Sequence, residues 1–225
     1  MPTDNTPSSP ITADGSLVEI YRRVSVTDEL DLITALLEPG NSVLDLGSGA
    51  GRIANPLAER GYQVTAVDDL ADMLAHVHGA ETVQARIEDL RLPEKFDLVL
   101  LASSLVNYPG VDARRGLLAT VAHHLKPAGK AVIQWRPPQW FAQRPAGSYH
   151  RSDGAMQQTM TILRNDGDVV LGEFTLEYAG QSLTQSFEAH RVGVDEFGSL
   201  LAEVGLTLDT ENADSSEWLT ASVRR

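Results

Sequence analysis

Val43-Leu44-Asp45-Leu46-Gly47-Ser48-Gly49-Ala50-Gly51 is the stretch that decides how this chain is read. An apolar run ends in a glycine cluster, and a helix-like segment follows from Arg52 to Arg60. A second apolar run, Val64-Thr65-Ala66-Val67, then ends in Asp68. The order is strand, tight glycine turn, helix, and a strand with a carboxylate at its tip. Such a turn lets a ligand approach the backbone, and the acid can accept hydrogen bonds from a ribose diol, so the unit suits an adenosine-containing ligand. Spacing narrows the choice. A dinucleotide fingerprint needs G-x-G-x-x-G/A, its last small residue permitting close helix–strand packing. Counted from Gly47, that position is Arg52, and Gly51 falls one residue early. No Gly-Lys-Ser/Thr follows, which excludes a P-loop. The turn suits a ligand without a pyrophosphate, and a nucleotide-dependent oxidoreductase is opposed by the same spacing.

Working outward, Ser42 to Leu46 reads as a first strand and Tyr62 to Val67 as a second. A helix fits Ala71 to Val77, and Thr82 to Ala85 is a short third strand. Phe96 to Ala102 is a continuous apolar strand of the kind buried on both faces. A helix over Ala113 to Leu125 is closed by Pro127-Ala128-Gly129, and Lys130 to Trp135 makes a fifth strand. Repeated units of this length predict a parallel sheet with helices on both faces. From Met156 the rhythm changes. Met156 to Leu163, Val169 to Tyr178 and Leu183 to Val192 predict three strands of an antiparallel meander, with Asn165-Asp166-Gly167 and Ala179-Gly180 as turns. In its middle strand Val170, Phe174, Leu176 and Tyr178 share one face, and Glu173, Thr175 and Glu177 the other. A helix from Val194 to Val204 and strands over Leu206 to Glu211 and Glu217 to Val223 complete the chain.

Upstream, helical segments are expected over Leu17 to Arg22 and Thr27 to Leu37, the second capped by Thr27 and stopped by Pro39-Gly40. Residues 1–15 lack the apolar surface that offsets ordering entropy and are read as a disordered tail, leaving 16–225 as a single domain. Formal charge is -13, from 31 acids against 18 bases. A field of that sign repels phosphate backbones and anionic lipid, so no nucleic-acid and no membrane partner is expected. Cysteine is absent, which excludes disulfides, thiolate nucleophiles and Cys-ligated zinc. No apolar run has the length of a membrane span, and no secretory signal is visible, so a cytoplasmic location is expected.

Four motifs in one order carry a family resemblance. They are Val43 to Gly51, Val64 to Leu74, Glu88-Asp89-Leu90-Arg91-Leu92-Pro93 with Phe96-Asp97-Leu98-Val99, and Leu125-Lys126-Pro127-Ala128-Gly129-Lys130. Together, over roughly Ser42 to Trp135, they resemble the class I S-adenosylmethionine-dependent methyltransferases of small-molecule type. The resemblance implies an α/β fold: a Rossmann-like, doubly wound, seven-stranded sheet, mostly parallel with the last strand antiparallel. The antiparallel β meander is then an insertion after the fifth strand. It implies S-adenosylmethionine as cofactor, with S-adenosylhomocysteine as product. By position, Asp45 would meet the methionine ammonium, directly or through water. Gly47, Ser48 and Gly49 would pass beside the methionine moiety, and Asp68 would accept both ribose hydroxyls. Asp69 and Met73 would line the adenine side, Ile87 and Glu88 its edge, Ala102 would lie beneath the sulfonium, and Tyr21 would close over the methionine end. Each has a plainer alternative: Asp45 as a cap, Asp68 as a solvated strand end, Met73 as core. Many relatives carry Asp where Arg86 stands. Arg cannot accept a hydrogen bond from the adenine amine. Either Glu88 or the Ile87 backbone takes over that contact, or Arg86 turns outward.

The implied activity is methyl transfer to a small organic acceptor by in-line displacement, which is catalysis by alignment. The alternative is a non-catalytic S-adenosylmethionine-binding scaffold or sensor. The acceptor is expected beyond the fourth and fifth strands, near Ser103, Ser104, Asn107 and Tyr108 and near Trp135, Arg136, Trp140 and Phe141. Residues 137–153 read as a lid loop offering aromatic faces such as Tyr149, and 137–192 as lid plus meander cap. His150 is the candidate proton acceptor, against a surface role. Asn107 either orients the acceptor or caps a helix. Arg136 either binds a substrate carboxylate or pairs with an acid of the meander. Trp135, Trp140 and Phe141 are pocket contacts or core. His190 and Glu188 share a strand face. A monomer or homodimer is expected.

Overall fold

Apolar residues alternate between two buried faces along the central strands. Leu44 and Leu46 of β1 (Ser42–Leu46) and Val99 and Leu101 of β4 (Phe96–Leu101) enter one core cluster. Val43, Leu98 and Leu100 enter another on the opposite face. A strand apolar on both sides must be covered on both sides, which is why helices flank this sheet. The computed structural model describes residues 18–24, 29–154 and 156–224. The tail at 1–15, the helix start at Leu17 and the Thr27 cap lie outside the described residues.

The main sheet holds seven strands in the order β10-β11-β5-β4-β1-β2-β3. The further strands are β2 (Gln63–Asp68), β3 (Glu81–Gln84), β5 (Leu125–Gln134), β10 (Leu206–Leu208) and β11 (Trp218–Val223). β1 pairs in parallel with β2 and with β4, β2 with β3, and β4 with β5. Only β11 runs against its neighbours, β5 and β10. α2 (Glu29–Thr34) and α3 (Ala54–Glu59) cover one face through Leu30, Ile33 and Leu57. α5 (Val111–His124) and α7 (Val194–Glu203) cover the other through Leu117, Leu118, Val121, Phe197, Leu200 and Leu201. Strand order reverses between β1 and β4, and the crevice at the C-terminal ends of such strands is where ligands bind in open α/β sheets.

The segment expected as a lid loop at 137–153 is ordered instead. Pro138 starts α6 (Pro138–Ala142), where its missing N–H costs nothing. Gly147–Asp153 forms β6, which pairs with β7 (Met156–Asn165). With β8 (Val169–Tyr178) and β9 (Gln181–His190) it makes a separate sheet of order β6-β7-β8-β9, four strands rather than three. Trp140 and Phe141 of α6 pack on Ile162, Val170 and Ala189 of this sheet. Ala179 and Gly180, at φ 46 and 75, make the expected tight turn between β8 and β9. β5 begins at Leu125, earlier than expected, because Leu125 pairs with Phe96 ahead of a register shift. Within that shift Gly129 lies against the carbonyls of Phe96 and Asp97, where a Cβ would stand 2.9 Å from either oxygen.

Candidate active site

The chain leaves β1 through the glycine turn, with Gly47 at φ 71, Gly49 at φ 56 and Gly51 at φ 82. Left-handed backbone of this kind is open to glycine at little cost. Gly47 is also pressed from outside, since a Cβ there would lie 2.9 Å from Leu105 Cδ1. The turn is tied to the end of β2. Ser48 N–H donates to the Val67 carbonyl (2.8 Å), and Gly49 N–H donates to Asp68 Oδ2 (2.9 Å). Asp68 Oδ1 accepts from Leu70 N–H (3.0 Å) at the start of α4 (Ala71–Leu74). The carboxylate is therefore fixed in orientation by two backbone donors.

Asp45 lies one residue before the strand's end, 1% exposed. Burial pushes its carboxyl up to about 7, helped by the charge of Asp68 and opposed by Arg52 and the Ala54 N–H. Asp45 Oδ2 and Ser48 Oγ are buried and have no hydrogen-bond partner among the described residues. Orphaned buried acceptors are rare and costly, so a cationic or hydroxyl-bearing ligand beside them is the economical explanation.

A cavity of about 490 Å³ opens here. All eleven residues expected at the cofactor line it: Tyr21, Asp45, Gly47, Ser48, Gly49, Asp68, Asp69, Met73, Ile87, Glu88 and Ala102. Tyr21 belongs to α1 (Val18–Tyr21) and packs with Val18, Ala50 and Met73 over the turn. The Ile87 carbonyl is already occupied, accepting from Leu90 N–H (3.2 Å) and Thr120 Oγ1 (2.8 Å). Arg86 also belongs to the lining; its side chain is largely exposed and sits 3.9 Å from both Glu88 and Asp89 carboxylates. Sequence reading missed Arg52, Leu105 and Arg114 in this wall. Arg52 pairs with Glu29 of α2, and Arg114 is buried with its Nε donating to the Val106 carbonyl (2.6 Å). In sequence both look like ordinary surface charges of helices, and no signal marks them.

A second cavity of about 630 Å³ adjoins the first and shares Tyr21, Arg52, Ser103 and Tyr108 with it. Its far wall is the inner face of the four-stranded sheet, including Met160, Phe174, Gln185 and Phe187. Tyr21 OH accepts from Gln185 Nε2 (3.4 Å), and the Arg23 guanidinium lies 4.1 Å from the Tyr178 ring centroid. Ser103 and Ser104, at φ 59 and 55, carry the chain off β4 in a conformation costly for non-glycine residues.

The acceptor-side candidates separate. Arg136 lines the second cavity, its guanidinium 4.8 Å from the Trp140 ring centroid. Desolvation pulls its pKa down, with Glu217 acting in the opposite direction. Asn107 is 1% exposed on the same wall, but its amide is committed. Its Oδ1 accepts from Arg136 N–H (2.6 Å), and its Nδ2 donates to the carbonyls of Arg136 (3.3 Å) and His190 (3.0 Å). It therefore clamps backbone and presents no spare polar atom. His150 is exposed on β6, bonded to Thr159 Oγ1 (3.0 Å), and lines neither cavity. Tyr149 donates to the Pro145 carbonyl (2.9 Å), away from both. Trp135 is core: its indole N–H donates to the Ser216 carbonyl (2.7 Å) and its ring meets Phe197 at 5.2 Å. Trp140 packs within the small sheet and touches the site through Arg136. Glu188 lines the cavity rim and holds His190 Nε2 at 2.6 Å.

Residues 43–129 match a family model described as a methyltransferase domain. The cypemycin N-terminal methyltransferase of Streptomyces sp is 27% identical over 202 residues, covering 80% of this chain and 75% of that protein. The ubiquinone biosynthesis O-methyltransferase of Xanthomonas axonopodis pv. citri (strain 306) is 33% identical over 164 residues, 61% of this chain and 67% of that protein. A solved S-adenosylmethionine-dependent methyltransferase from Clostridium acetobutylicum ATCC 824 has the same fold, with a TM-score of 0.73 at 16% identity. That match covers 92% of this chain and 95% of the other.

Proposed function

This chain belongs to the class I S-adenosylmethionine-dependent methyltransferases, and we propose that it methylates an amine nitrogen of a small organic acceptor held in the second cavity. The observation that carries this reading is the pair of adjoining cavities with Tyr21, Arg52, Ser103 and Tyr108 as their common wall. S-adenosylmethionine supplies a methyl group activated on a sulfonium. In the first cavity, Asp45 and Ser48 find in the methionine end the partners they lack in the chain. Asp68, oriented by Gly49 and Leu70 at the cavity wall, accepts from the ribose hydroxyls. With the Ile87 carbonyl filled, Glu88 is the side-chain acceptor in this part of the lining for the adenine amine.

The chain's share of the chemistry is alignment. Tyr21, Ser103 and Tyr108 set the acceptor atom on the line from the sulfur through the methyl carbon, and α1 with β9 keeps bulk water out. Among the described residues no histidine lines either cavity. A hydroxyl acceptor would want a base of that kind, whereas an amine need only enter in its free-base form, having lost its ammonium proton to solvent. The name of the cypemycin N-terminal methyltransferase supports nitrogen as the acceptor atom. The four-stranded sheet and α6 serve as the substrate cap of a single domain.

Titration with S-adenosylhomocysteine followed by a methylation screen across amines, phenols and carboxylates tests the proposal. Binding together with N-methylated product is expected. A product methylated only on oxygen defeats the amine reading. Binding without any product would favour the scaffold alternative.

A further inference from the structure

The second cavity contains a cation that the protein itself leaves unused. Of the other arginines lining the two cavities, Arg52 is held by Glu29, Arg114 by the Val106 carbonyl and by Glu196 at 3.6 Å, Arg86 lies 3.9 Å from Glu88 and Asp89, and Arg151 is exposed on β6. Arg136 makes no ion pair among the described residues; it lines the cavity and has the Trp140 ring 4.8 Å from its guanidinium carbon. Glu188, the acid that the meander contributes to the lining, is bonded to His190. Glu217 also lines the cavity but stands outside ion-pair reach, and it acts on Arg136 only through its field. Asn107, meanwhile, grips the Arg136 backbone from both sides and anchors it to the end of β9. A buried amide spent on positioning one arginine is structure in excess of what packing requires.

We propose that Arg136 is the anchor for a carboxylate on the acceptor, with Asn107 as its positioning residue. The proposal rests on the reading that the second cavity takes the acceptor. A guanidinium stays charged when desolvated, and its planar fork matches a carboxylate with two parallel hydrogen bonds. The indole beneath it fixes the plane of that fork. Arg136 is the one arginine of this lining that is neither ion-paired nor on the exposed outer part of the wall, since Arg52 is held by Glu29 and Arg151 is exposed on β6. With Glu188 and Glu217 in the same lining, the site suits a monoanion, because the acids oppose the second charge of a phosphate dianion. Those same acids suit an ammonium group, so the acceptor class is an amine that also carries a carboxylate. Phe174, Phe187 and Met160 leave room for an apolar body between the two.

Matched acid–amide pairs test this: phenylalanine against phenylalaninamide, 4-aminobenzoate against 4-aminobenzamide, and glycine against glycinamide. Each is titrated calorimetrically against the protein, alone and saturated with S-adenosylhomocysteine. The acid is expected to bind at least about tenfold more tightly than its amide in one pair or more, the order of one charge-assisted pair. Arg136→Gln should abolish that preference and leave S-adenosylhomocysteine affinity unchanged. Arg136→Lys should keep part of it, through charge without the fork. Asn107→Ala should reduce it without touching the cofactor. No acid preference in any pair, or a preference that survives Arg136→Gln, overturns the proposal. So does a loss of S-adenosylhomocysteine affinity in Arg136→Gln, which would assign the arginine to the donor side. If S-adenosylhomocysteine does not bind while the Arg136-dependent acid preference holds, the anion site stands and the donor assignment falls.

Discussion

Asp45→Asn should make the ligand-free protein more stable and its grip on S-adenosylhomocysteine much weaker. The Asp45 carboxyl is raised by burial from an ordinary 3.8 to about 7. That is a preference for the neutral acid of about 4 kcal/mol in the folded chain. The sign is opposite to that of a salt-bridged aspartate. The folded protein holds the proton that the unfolded chain releases, so the group's favourable contribution is complete below 3.8. It declines as pH rises, and above about 7 the full penalty of a buried charge is paid. Asn removes the ionisation while keeping the shape and the bond from the Ala54 N–H. Discounting for its own unmet amide donors, the gain at about pH 8 is about 2–3 kcal/mol, and near pH 4 it vanishes.

Ligand binding runs the other way. An ammonium beside Asp45 requires the carboxylate, so below about 7 the wild-type protein must release a proton to bind. Affinity should therefore fall about tenfold for each pH unit below that point, with about one proton released per ligand near pH 6. Asp45→Asn should lose about 1.5–3 kcal/mol of binding at neutral pH and most of this pH dependence. Calorimetry from about pH 5.5 to about pH 8, in two buffers of different ionisation enthalpy, reads affinity and proton release together. Urea denaturation at the two extremes reads stability. A wild-type affinity that is flat across this range, with heats independent of buffer, would refute the reasoning.

Asp68→Ala should weaken S-adenosylhomocysteine binding by about 1.5–3 kcal/mol, and by more than Asp68→Asn, because alanine also strips the Gly49 and Leu70 N–H groups of their acceptor. Equal affinity in Asp68→Ala and wild type by calorimetry would remove Asp68 from the ribose. Trp135→Ala should cost about 3–5 kcal/mol of stability by denaturant titration, while Trp135→Phe keeps cofactor binding, since the ring is core against Phe197. Loss of binding in a folded Trp135→Phe protein would put the indole back in the site. His150→Ala should leave the methylation rate within about twofold across pH, its ring being exposed and outside both cavities. A lost alkaline or acid limb in the rate profile would restore it as a proton acceptor.

Why the donor side was legible and the acceptor side was not follows from chain distance. The residues from Asp45 to Gly49 are contiguous, and Asp68 is fixed relative to them by β1–β2 pairing, so local pattern and register suffice. Nothing local marks Arg52 as the partner of Glu29, or Asn107 as the clamp on Arg136 and the end of β9, because those contacts join segments brought together only by folding. The 137–153 segment misled for a related reason. Its prolines and glutamines read as a loop, but a proline at the first turn starts a helix as well as it ends one. β6 is held by pairing with β7, which no pattern within it reveals. Candidates chosen for chemistry alone, such as His150 and Tyr149, proved to point away from the cavities.

The two sheets meet the ligands differently, and α1 is what joins them. Tyr21 lies on the glycine turn through Ala50 and Met73 and reaches Gln185 of β9 with its hydroxyl. Arg23, two residues on, stacks against Tyr178 of β8. The same short helix thus forms the roof of the donor cavity and one wall of the acceptor cavity. A helix packed on the glycine turn and α4 at one end and hydrogen-bonded to β9 at the other cannot shift over one cavity without loosening its hold on the other, so coupled donor and acceptor affinities are the expected outcome. Asp45 and Arg136 sit at opposite ends of this arrangement, each inside one cavity and absent from the other. Changes at those two positions share no partner and should combine additively, whereas a change at Tyr21 alters the wall they have in common.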